Sequence, residues 1–375
     1  MSGITTTNFI ANDGSDIGIE LIEKDYLRRI YPSLADQFIT PELWVWGDLA
    51  DADGTLEDHY KSTPVTTFAG GSNWKTIGQS SSMAISKGAI KTDGTLWVWG
   101  QNLYGELGTN TLTQSLTPVT TFAGGSDWKQ LSNGYSINAA IKTDGSLWTW
   151  GLQSNSFLGA KGGLGVNDTI NRSTPVTTFA GGNDWSQVSV GFEHIAAIKN
   201  DGSLWNWGNN KKTPITSVGG NSSWKIVHCP CAIGSILAIK NDGSLWNWGE
   251  NTKGQLGTND TTSRTDSPVT TFAGGTDWKQ ITSASTVQQF SVGECEIYAT
   301  KNDGSLWTWG GANSALTPIT TFVGGNDWRI IRDGFAIKTN GTLWKLNPYT
   351  PTLFDGSSNW KICSAKLGIK TIEDV

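Results

Sequence analysis

One short string recurs along this chain of 375 residues and constrains its fold more than any other feature. The string Leu-Trp-x-Trp-Gly, or a close variant, begins at Leu43, Leu96, Leu147, Leu204, Leu245, Leu306 and Leu343. The mean spacing is about 50 residues, and similarity at such a period is typical of propellers and other repeat folds. The sequence therefore predicts an array of similar units rather than two or three unrelated domains.

A second string follows each copy of the first and reads, more or less intact, Pro-Val-Thr-Thr-Phe-Ala-Gly-Gly-x-x-Trp. All 20 tryptophans of the chain belong to one of the two strings. Because the repeat fixes their positions, we expect these side chains to form the core rather than a sugar-stacking surface.

Each unit is interpreted as four β-strands, called A to D. In one unit, strand A begins at Trp128, strand B contains residues 140–142, strand C residues 147–150 and strand D residues 175–179. Asp144-Gly145 between strands B and C predicts a type I′ hairpin turn, because this pair readily supplies two positive φ angles.

Strand C is apolar on both faces, since Trp148 and Trp150 share one face while Leu147 lies on the other. A sheet covered on both sides explains this pattern, and four-stranded sheets arranged radially form a β-propeller. The first unit lacks strands A and B, and the last lacks strands C and D. We therefore predict an all-β, seven-bladed propeller over residues 43–375, closed by N- and C-terminal strands that share one blade.

The repeat resembles that of the regulator of chromosome condensation family, through Trp-Lys-x-Ile, Ala-Ile-Lys-x-Asp-Gly and Leu-Trp-x-Trp-Gly. Residues 102–108 and 251–257 add the downstream signature Asn-x-x-Gly-x-Leu-Gly. The resemblance covers residues 43–370 and implies a seven-bladed propeller that acts as a binding platform. Members include a nuclear exchange factor, inhibitors of secreted enzymes and domains of ubiquitin ligases, so the fold does not determine the partner.

Residues 1–42 form a leader outside the repeat, with 7 acidic and 3 basic residues. Residues 5–10 and 17–22 are predicted to form a hairpin, and residues 23–31 a short helix that ends before Pro32. The leader contains Thr-Thr-Thr-Asn-Phe followed by Asn-Asp-Gly, and Lys-Asp-Tyr-Leu followed by Tyr-Pro. Through these pieces it resembles the leaders of structural proteins from tailed phages that infect marine cyanobacteria. This resemblance implies an anchor to other virion proteins, although docking on its own propeller remains open. The candidate anchoring side chains are Phe9, Ile10, Tyr26 and Ile30.

Composition and motifs disfavour several other classes of protein. The net charge of −6 argues against a nucleic-acid partner, and no apolar run is long enough for membrane insertion. The N-terminus carries no secretion signal. No phosphate-binding loop or catalytic triad is found, so we predict no enzyme activity and no cofactor.

Three sites with metal-binding or catalytic residue types are interpreted as structural. In His228-Cys229-Pro230-Cys231, the spacing between the cysteines is too short for a typical zinc site, so no metal is predicted. Cys363 aligns with apolar residues of strand A and is expected to act as a small hydrophobe. His194, near the start of a strand B, is expected to make a hydrogen bond within the blade wall.

The function predicted from these features is that of a non-enzymatic phage virion protein, whose propeller serves as an attachment platform in a tail, fibre or capsid decoration. Its location would be the virion, assembled in the cytoplasm of the bacterial host. A host-surface receptor or glycan would bind the propeller loops. The alternatives are a soluble protein-binding module, such as an inhibitor or scaffold, and a GTPase exchange factor.

The two ends of the blades differ in sequence variation. The side with the B–C and D–A connections, called the turn side, carries uniform Asp-Gly and Gly-Gly turns. The side with the A–B and C–D connections, called the loop side, carries most of the length variation, including the predicted A–B connection 282–296. Variable loops on a rigid scaffold commonly bind partners. We therefore predict recognition on the loop side, with Tyr104, Phe157, Gln288, Gln289 and Phe290 as contacts.

Overall fold

The computed structural model describes residues 9–10, 16–17, 39–48, 60–66, 73–80, 84–155, 160–216, 223–230, 234–285, 295–311, 315–321, 325–346, 351–363 and 367–373. The regular secondary structure within these ranges consists entirely of β-strands, so the predicted all-β class is confirmed for this part of the chain. In the leader, β1 (Phe9–Ile10) pairs antiparallel with β2 (Asp16–Ile17). The remaining parts of the predicted hairpin, residues 5–8 and 18–22, and the predicted helix 23–31 lie outside the described residues.

The strands of the first repeat units follow in chain order. Strands β3 (Ile39–Asp48) and β4 (Tyr60–Thr66) come first. Sheet I contains β5 (Trp74–Ile77), β7 (Ser86–Lys91), β8 (Leu96–Gly100) and β9 (Ser115–Thr120), with the short β6 (Gln79–Ser80) after β5. Sheet II contains β10 (Trp128–Asn133), β11 (Ile137–Lys142), β12 (Leu147–Gly151) and β15 (Arg172–Thr177); β13 (Ser154–Asn155) and β14 (Ala160–Lys161) form a small hairpin between β12 and β15.

The remaining units repeat the same order. Sheet III contains β16 (Trp185–Val190), β17 (His194–Lys199), β18 (Leu204–Gly208) and β19 (Lys211–Thr216). Sheet IV contains β20 (Trp224–His228), β21 (Ile236–Lys240), β22 (Leu245–Gly249) and β23 (Arg264–Thr270). Sheet V contains β24 (Trp278–Ser285), β25 (Cys295–Lys301), β26 (Leu306–Gly310) and β27 (Ala315–Thr320). Sheet VI contains β28 (Trp328–Arg332), β29 (Phe335–Lys338), β30 (Leu343–Lys345) and β31 (Thr352–Asp355), and β32 (Trp360–Cys363) and β33 (Leu367–Glu373) end the chain.

Strands β32, β33, β3 and β4 form one sheet, called the closing sheet. Leu43 of β3 lies opposite Ile369 of β33, and Trp44 lies opposite Thr66 of β4. The predicted sharing of one sheet by the two ends of the chain is therefore confirmed. The pairing of β3 with β33 begins at Ile39, so the proposed boundary between residues 42 and 43 falls within a strand.

The number of strands per sheet differs from the prediction at one point. Six sheets have four strands, whereas sheet II has five, because β6 from the preceding unit pairs parallel with β10. Gln79 lies opposite Ser132, so the extra strand covers the inner edge of sheet II. The expectation of seven identical four-stranded blades is therefore wrong: six blades have that form. A backbone segment of eight residues between β5 and β7 supplies the additional pairing.

Apolar clusters fill the space between neighbouring sheets. Trp150 packs with Leu96 in the cluster between sheets I and II. Leu147, on the same strand as Trp150, packs with Trp207 in the cluster between sheets II and III. Sheet II is thus buried on both faces, as the apolar pattern of strand C predicts.

Three expected local features need correction. The Asp-Gly turns are not type I′, because only the glycine has a positive φ, as at Gly145 with 84°. The Gly145 N–H bonds to Lys142 O and the Lys142 N–H bonds to Ser146 O, which defines a three-residue loop. Strand D of sheet II begins at Arg172, three residues before the predicted start. The A–B connection predicted at 282–296 is shorter, because strand pairing continues to Ser285 opposite Cys295.

Candidate protein-binding face

On the turn side, one hydrogen bond recurs from sheet to sheet. The carbonyl oxygen of the B–C turn glycine accepts the backbone N–H of the strand A tryptophan in the next sheet, at 3.0–3.2 Å. The pairs are Gly94–Trp128, Gly145–Trp185, Gly202–Trp224, Gly243–Trp278 and Gly341–Trp360. A Cβ on Gly145 would lie only 2.2 Å from Asn183 O, so the turn side tolerates little change at this position.

The lysine at the end of strand B also makes contacts on the turn side. Lys142 Nζ lies 4.7 Å from the ring centre of Trp128 and 5.1 Å from that of Trp148. Asp127 Oδ1 is 3.2 Å from the same ammonium group, an ion pair without hydrogen-bond geometry at that oxygen. Lys91, Lys199, Lys240, Lys301 and Lys338 lie between tryptophans in the same way. Contacts within the protein therefore explain why the lysine and the tryptophans recur in the repeat units.

The inner strands are joined by polar side chains. Gln130 Nε2 donates to Val188 O at 3.0 Å, and Gln130 Oε1 accepts the Val188 N–H at 3.2 Å. Ser132 Oγ accepts the Val190 N–H at 3.0 Å. Equivalent bonds to the next strand A are made by Gln187, Ser189, Gln280 and Thr282. These residues bind neighbouring sheets together near the propeller axis.

The centre of the ring is bridged by side chains from distant units. His228 Nδ1 is 2.9 Å from Gln79 Nε2, and His228 Nε2 is 2.8 Å from Ser283 Oγ. Arg332 donates to Ile77 O at 3.3 Å. Burial lowers the pKa of His228 to about 3, so the imidazole is neutral at pH 7. These bonds give His228 a structural role in the centre of the propeller.

The prediction that Cys363 is a buried residue of a strand A is confirmed. Cys229 and Cys363 are buried and free, and burial raises the pKa of the Cys229 thiol to about 12. Within the described ranges, no group of three or more His, Cys, Asp or Glu residues is arranged to hold a metal ion. Cys231 lies outside those ranges.

Exposed apolar side chains lie on both sides: Phe122, Phe179 and Phe272 stand one per D–A connection on the turn side, and a second set lies in the C–D connections of the loop side. Leu103, Tyr104 and Leu112 belong to the C–D connection of sheet I and are 64%, 40% and 62% exposed, and Ile170 of the next C–D connection is 63% exposed. The role of Tyr104 as a partner contact stays a prediction. Phe9 and Ile10 lie in β1. The other predicted contacts, Phe157, Gln288, Gln289, Phe290, Tyr26 and Ile30, lie outside the described residues.

The C–D connection of sheet I is held firmly by a segment that we call a turn insert, residues 102–108. Asn102 Oδ1 accepts the Leu107 N–H at 2.9 Å, and the Asn102 amide donates to Thr111 O and Thr113 O. Leu107 is completely buried. The insert of sheet IV, residues 251–257, makes the corresponding bond from the Leu256 N–H to Asn251 Oδ1. Residues 162–165 of sheet II, Gly-Gly-Leu-Gly, form the insert there.

Sheet III has no insert, because Asn209 and Asn210, with φ of 45° and 74°, join its strands C and D directly. The space beside this hairpin is a cleft of about 430 Å³ between sheets III and IV, called the III/IV cleft. Its walls include His194, Asn206, Glu250 and Thr265. The sequence contains a signal for this cleft, since Leu204 and Leu245 are separated by fewer residues than most neighbouring copies.

His194 makes the expected bond in the blade wall. Its Nε2 lies 2.8 Å from Ser235 O. A carbonyl only accepts, so Nε2 carries the proton and the neutral ring presents Nδ1 as an acceptor. Burial lowers the pKa of His194 to about 4, and Nδ1 has no partner among the described residues.

Two buried glutamates have raised pKa values. Burial raises the pKa of Glu296 to about 7; its Oε1 accepts from Thr308 at 3.0 Å, while Oε2 has no partner among the described residues. Burial also raises the pKa of Glu106. Raised carboxyl pKa values occur at catalytic sites and at structural ones. Sequence reasoning missed both glutamates, because burial is not visible in the repeat pattern.

Comparison with known proteins supports the family resemblance. Residues 93–141, 144–198 and 242–294 match the family model of the regulator of chromosome condensation (RCC1) repeat, and residues 185–212 match a second model of that repeat. The matched segments make up less than half of the chain and correspond to repeat units of sheets I to V. The described residues contain no helix that is long and apolar enough to cross a membrane.

Relatives with RCC1 repeats have several roles. The chain is 30% identical over 172 residues to the ultraviolet-B receptor UVR8 of Arabidopsis thaliana, covering 45% of this chain and 37% of that protein. It is 31% identical over 175 residues to an RCC1-like G exchanging factor-like protein of Mus musculus, covering 44% and 36%. These alignments span little more than a third of each relative, so the activities of the whole relatives are not transferred to this chain.

A solved structure with the same fold is Prp20p from Saccharomyces cerevisiae, which is described together with its binding to Gsp1p and histones. The TM-score is 0.67 at 15% sequence identity, over 94% of both chains. This similarity establishes the propeller fold alone, and the prediction of a phage virion protein stays a prediction.

Proposed function

We propose that this chain is a non-catalytic protein-recognition module whose partner binds the loop side of the propeller. In the same proposal, the five-stranded sheet II is the seventh blade of the ring. The observation that carries the proposal is the difference between the two sides. Repeated backbone bonds within the protein occupy the turn side, where the exposed Phe122, Phe179 and Phe272 stand one per D–A connection, whereas Leu103, Tyr104 and Leu112 are exposed in a single connection on the loop side.

The rigidity of this loop supports recognition. Its turn insert is fixed by the bonds of Asn102 and by the buried Leu107. A surface that is ordered before binding loses less conformational entropy when a partner binds. Exposed apolar groups on such a surface contribute favourable burial in a complex.

The absence of enzyme activity belongs to the same proposal. His194 and His228 make structural hydrogen bonds and are neutral at pH 7. Cys229 is a buried thiol with a raised pKa and is therefore a poor nucleophile. These three side chains would otherwise be candidates for catalysis, and their structural roles support a non-catalytic protein.

Site-specific photocrosslinking tests the proposal. A photoreactive phenylalanine would replace Tyr104 on the loop side or, as a matched control, Phe122, which is 66% exposed near the turn side. The protein that crosslinks would then be purified and titrated against the propeller. We expect crosslinking through position 104, and at least tenfold weaker binding for Leu103→Glu with little change for Phe122→Glu. Equal crosslinking at both positions, or binding lost only with Phe122→Glu, would contradict the proposal.

We further propose that the module works in a tailed-phage particle, to which residues 1–42 anchor it. The resemblance of the leader supports this role, which would be that of a tail, fibre or capsid-decoration protein. Deleting residues 1–38 leaves β3 intact, so the propeller should fold. The shortened protein should be missing from purified particles when their proteins are quantified by mass spectrometry. Its incorporation at normal copy number would exclude the anchoring role, without affecting the proposal for the loop side.

A further inference from the structure

The turn inserts share two packing contacts. The first glycine of the insert lies against the second residue of strand D in the next sheet, so a Cβ on Gly105 would come within 2.5 Å of Ser173 Cα. Gly162 lies against Lys212 and Gly254 against Leu316 in the same way. The leucine that follows, Leu107, Leu164 or Leu256, is completely buried.

Two backbone carbonyls of the insert accept hydrogen bonds. In the inserts of sheets I and IV, the carbonyl before the leucine accepts from an indole of the next sheet: Trp150 donates to Glu106 O at 2.7 Å, and Trp309 donates to Gln255 O at 2.9 Å. Beside the insert of sheet II, the equivalent Trp207 Nε1 has no partner among the described residues. The carbonyl of the leucine itself accepts from strand C of its own sheet. Thr149 donates to Leu164 O at 2.8 Å, and Asn247 donates to Leu256 O at 3.0 Å.

The III/IV cleft presents the same groups without an insert. Asn206 occupies the strand C position of Thr149 and Asn247 and lines the cleft. Its Oδ1 has no partner among the described residues, as is also true of Asn247 Oδ1 beside the insert of sheet IV, so the comparison rests on the side-chain amide as the donor. Trp248 follows Asn247 on β22 and occupies the strand C position of Trp150 and Trp309. Thr265, which corresponds to Ser173, also lines the cleft.

We propose that the III/IV cleft binds a Gly-x-Leu-Gly turn supplied by a partner protein. The proposal rests on the loop-side recognition proposed above and names its chemistry. The residue x would accept from Trp248 Nε1, and the leucine carbonyl would accept from the Asn206 amide. The leucine side chain would pack beside Ile236, which lines the cleft. The inserts of a second copy are poor candidates, because their leucines are buried in their own interfaces.

A synthetic peptide with the sequence of residues 250–259, blocked at both ends, is a direct probe. It would be titrated into the full chain labelled with ¹⁵N at tryptophan, with the Trp248 indole signal assigned by Trp248→Phe. We expect that signal to shift, while the Trp150 and Trp309 signals stay in place because their N–H groups are already bonded. Asn206→Ala should weaken binding by about fivefold, the size expected for one hydrogen bond. The control peptide with Asp in place of leucine should not bind.

A loop graft keeps the test decisive if a substitution disturbs folding. Inserting the sequence of residues 251–263 between Asn209 and Asn210 should fill the cleft from within and abolish peptide binding. Binding of this turn in the III/IV cleft is excluded if the peptide leaves the Trp248 signal unchanged, if the Asp peptide binds equally well, or if the grafted protein still binds the peptide. Because the peptide replaces the natural partner, these failures are distinct from a failure of crosslinking at Tyr104.

Discussion

At the residue scale, the lysine at the end of strand B combines two interactions that can be separated. Lys142 lies between Trp128 and Trp148 and faces Asp127. Lys240 also lies between two tryptophans, but its own sheet has Ser223 at the position of the aspartate. The repeat string predicts the lysine, but it does not reveal that the lysine and the aspartate meet.

Replacing Lys142 by methionine should lower the free energy of unfolding by about 1–2 kcal/mol, because a cation–π contact and a partly exposed ion pair are lost. Lys240→Met should cost less, since only the cation–π contact is lost. Urea denaturation of both variants measures the difference. A larger loss for Lys240→Met would contradict the assigned role of Asp127.

Glu296 should make stability depend on pH. Its pKa is raised by burial from 4.5 to about 7, so the folded protein holds a proton that the unfolded chain releases between these values. Its contribution to stability is therefore present below pH 4.5 and is lost as the pH rises through 7. Glu296→Gln, which mimics the protonated form, should match the wild type at pH 4.5.

At pH 8 the Glu296→Gln variant should be more stable than the wild type by up to about 3 kcal/mol. Denaturation curves at several pH values check this difference. The histidines do not confound it, because His194 and His228 are present in both proteins. A stability difference that is the same at every pH would show that Glu296 is not buried with a raised pKa.

At the element scale, the strand order and the sharing of the closing sheet could be predicted from the sequence, because periodicity, turns and the missing strands of the terminal units all indicate one architecture. Three features could not. The pairing of β6 with β10 depends on backbone geometry at the axis. The III/IV cleft depends on an insert that is missing from sheet III. The conformation of the Asp-Gly turns depends on the aspartate, since Asp144 Oδ1 accepts the Ser146 N–H at 2.8 Å.

The hydrogen bonds between inner strands of neighbouring sheets are expected to contribute individually to the free energy of unfolding. Gln280 Nε2 donates to Arg329 O and Gln280 Oε1 accepts from the Ile331 N–H, whereas Gln187 makes one such bond, with the Val227 N–H. Gln280→Leu should lower the free energy of unfolding by about 1–2 kcal/mol, because two backbone groups lose their partner. Gln187→Leu should cost about half as much. Equal stability of Gln280→Leu and the wild type would mean that these bonds contribute nothing.

At the scale of the whole molecule, the ring depends on strands from both ends of the chain. Deleting residues 360–375 removes β32 and β33, so β3 loses its partner strand and Trp44 loses its contact with Trp360. We expect a sharp fall in melting temperature and loss of a single cooperative transition. Removal of residues 1–38 is the matched control, because it leaves the closing sheet complete. A cooperative transition unchanged by the C-terminal deletion would contradict closure by the shared sheet.

Hydrogen exchange of the propeller alone and in complex with the protein captured at Tyr104 tests the central claim most directly. The account predicts slower exchange on binding in the C–D connection 101–114 and in the walls of the III/IV cleft, with unchanged exchange in the Asp-Gly and Gly-Gly turns. Protection confined to the turns, with none on the loop side, would contradict the account.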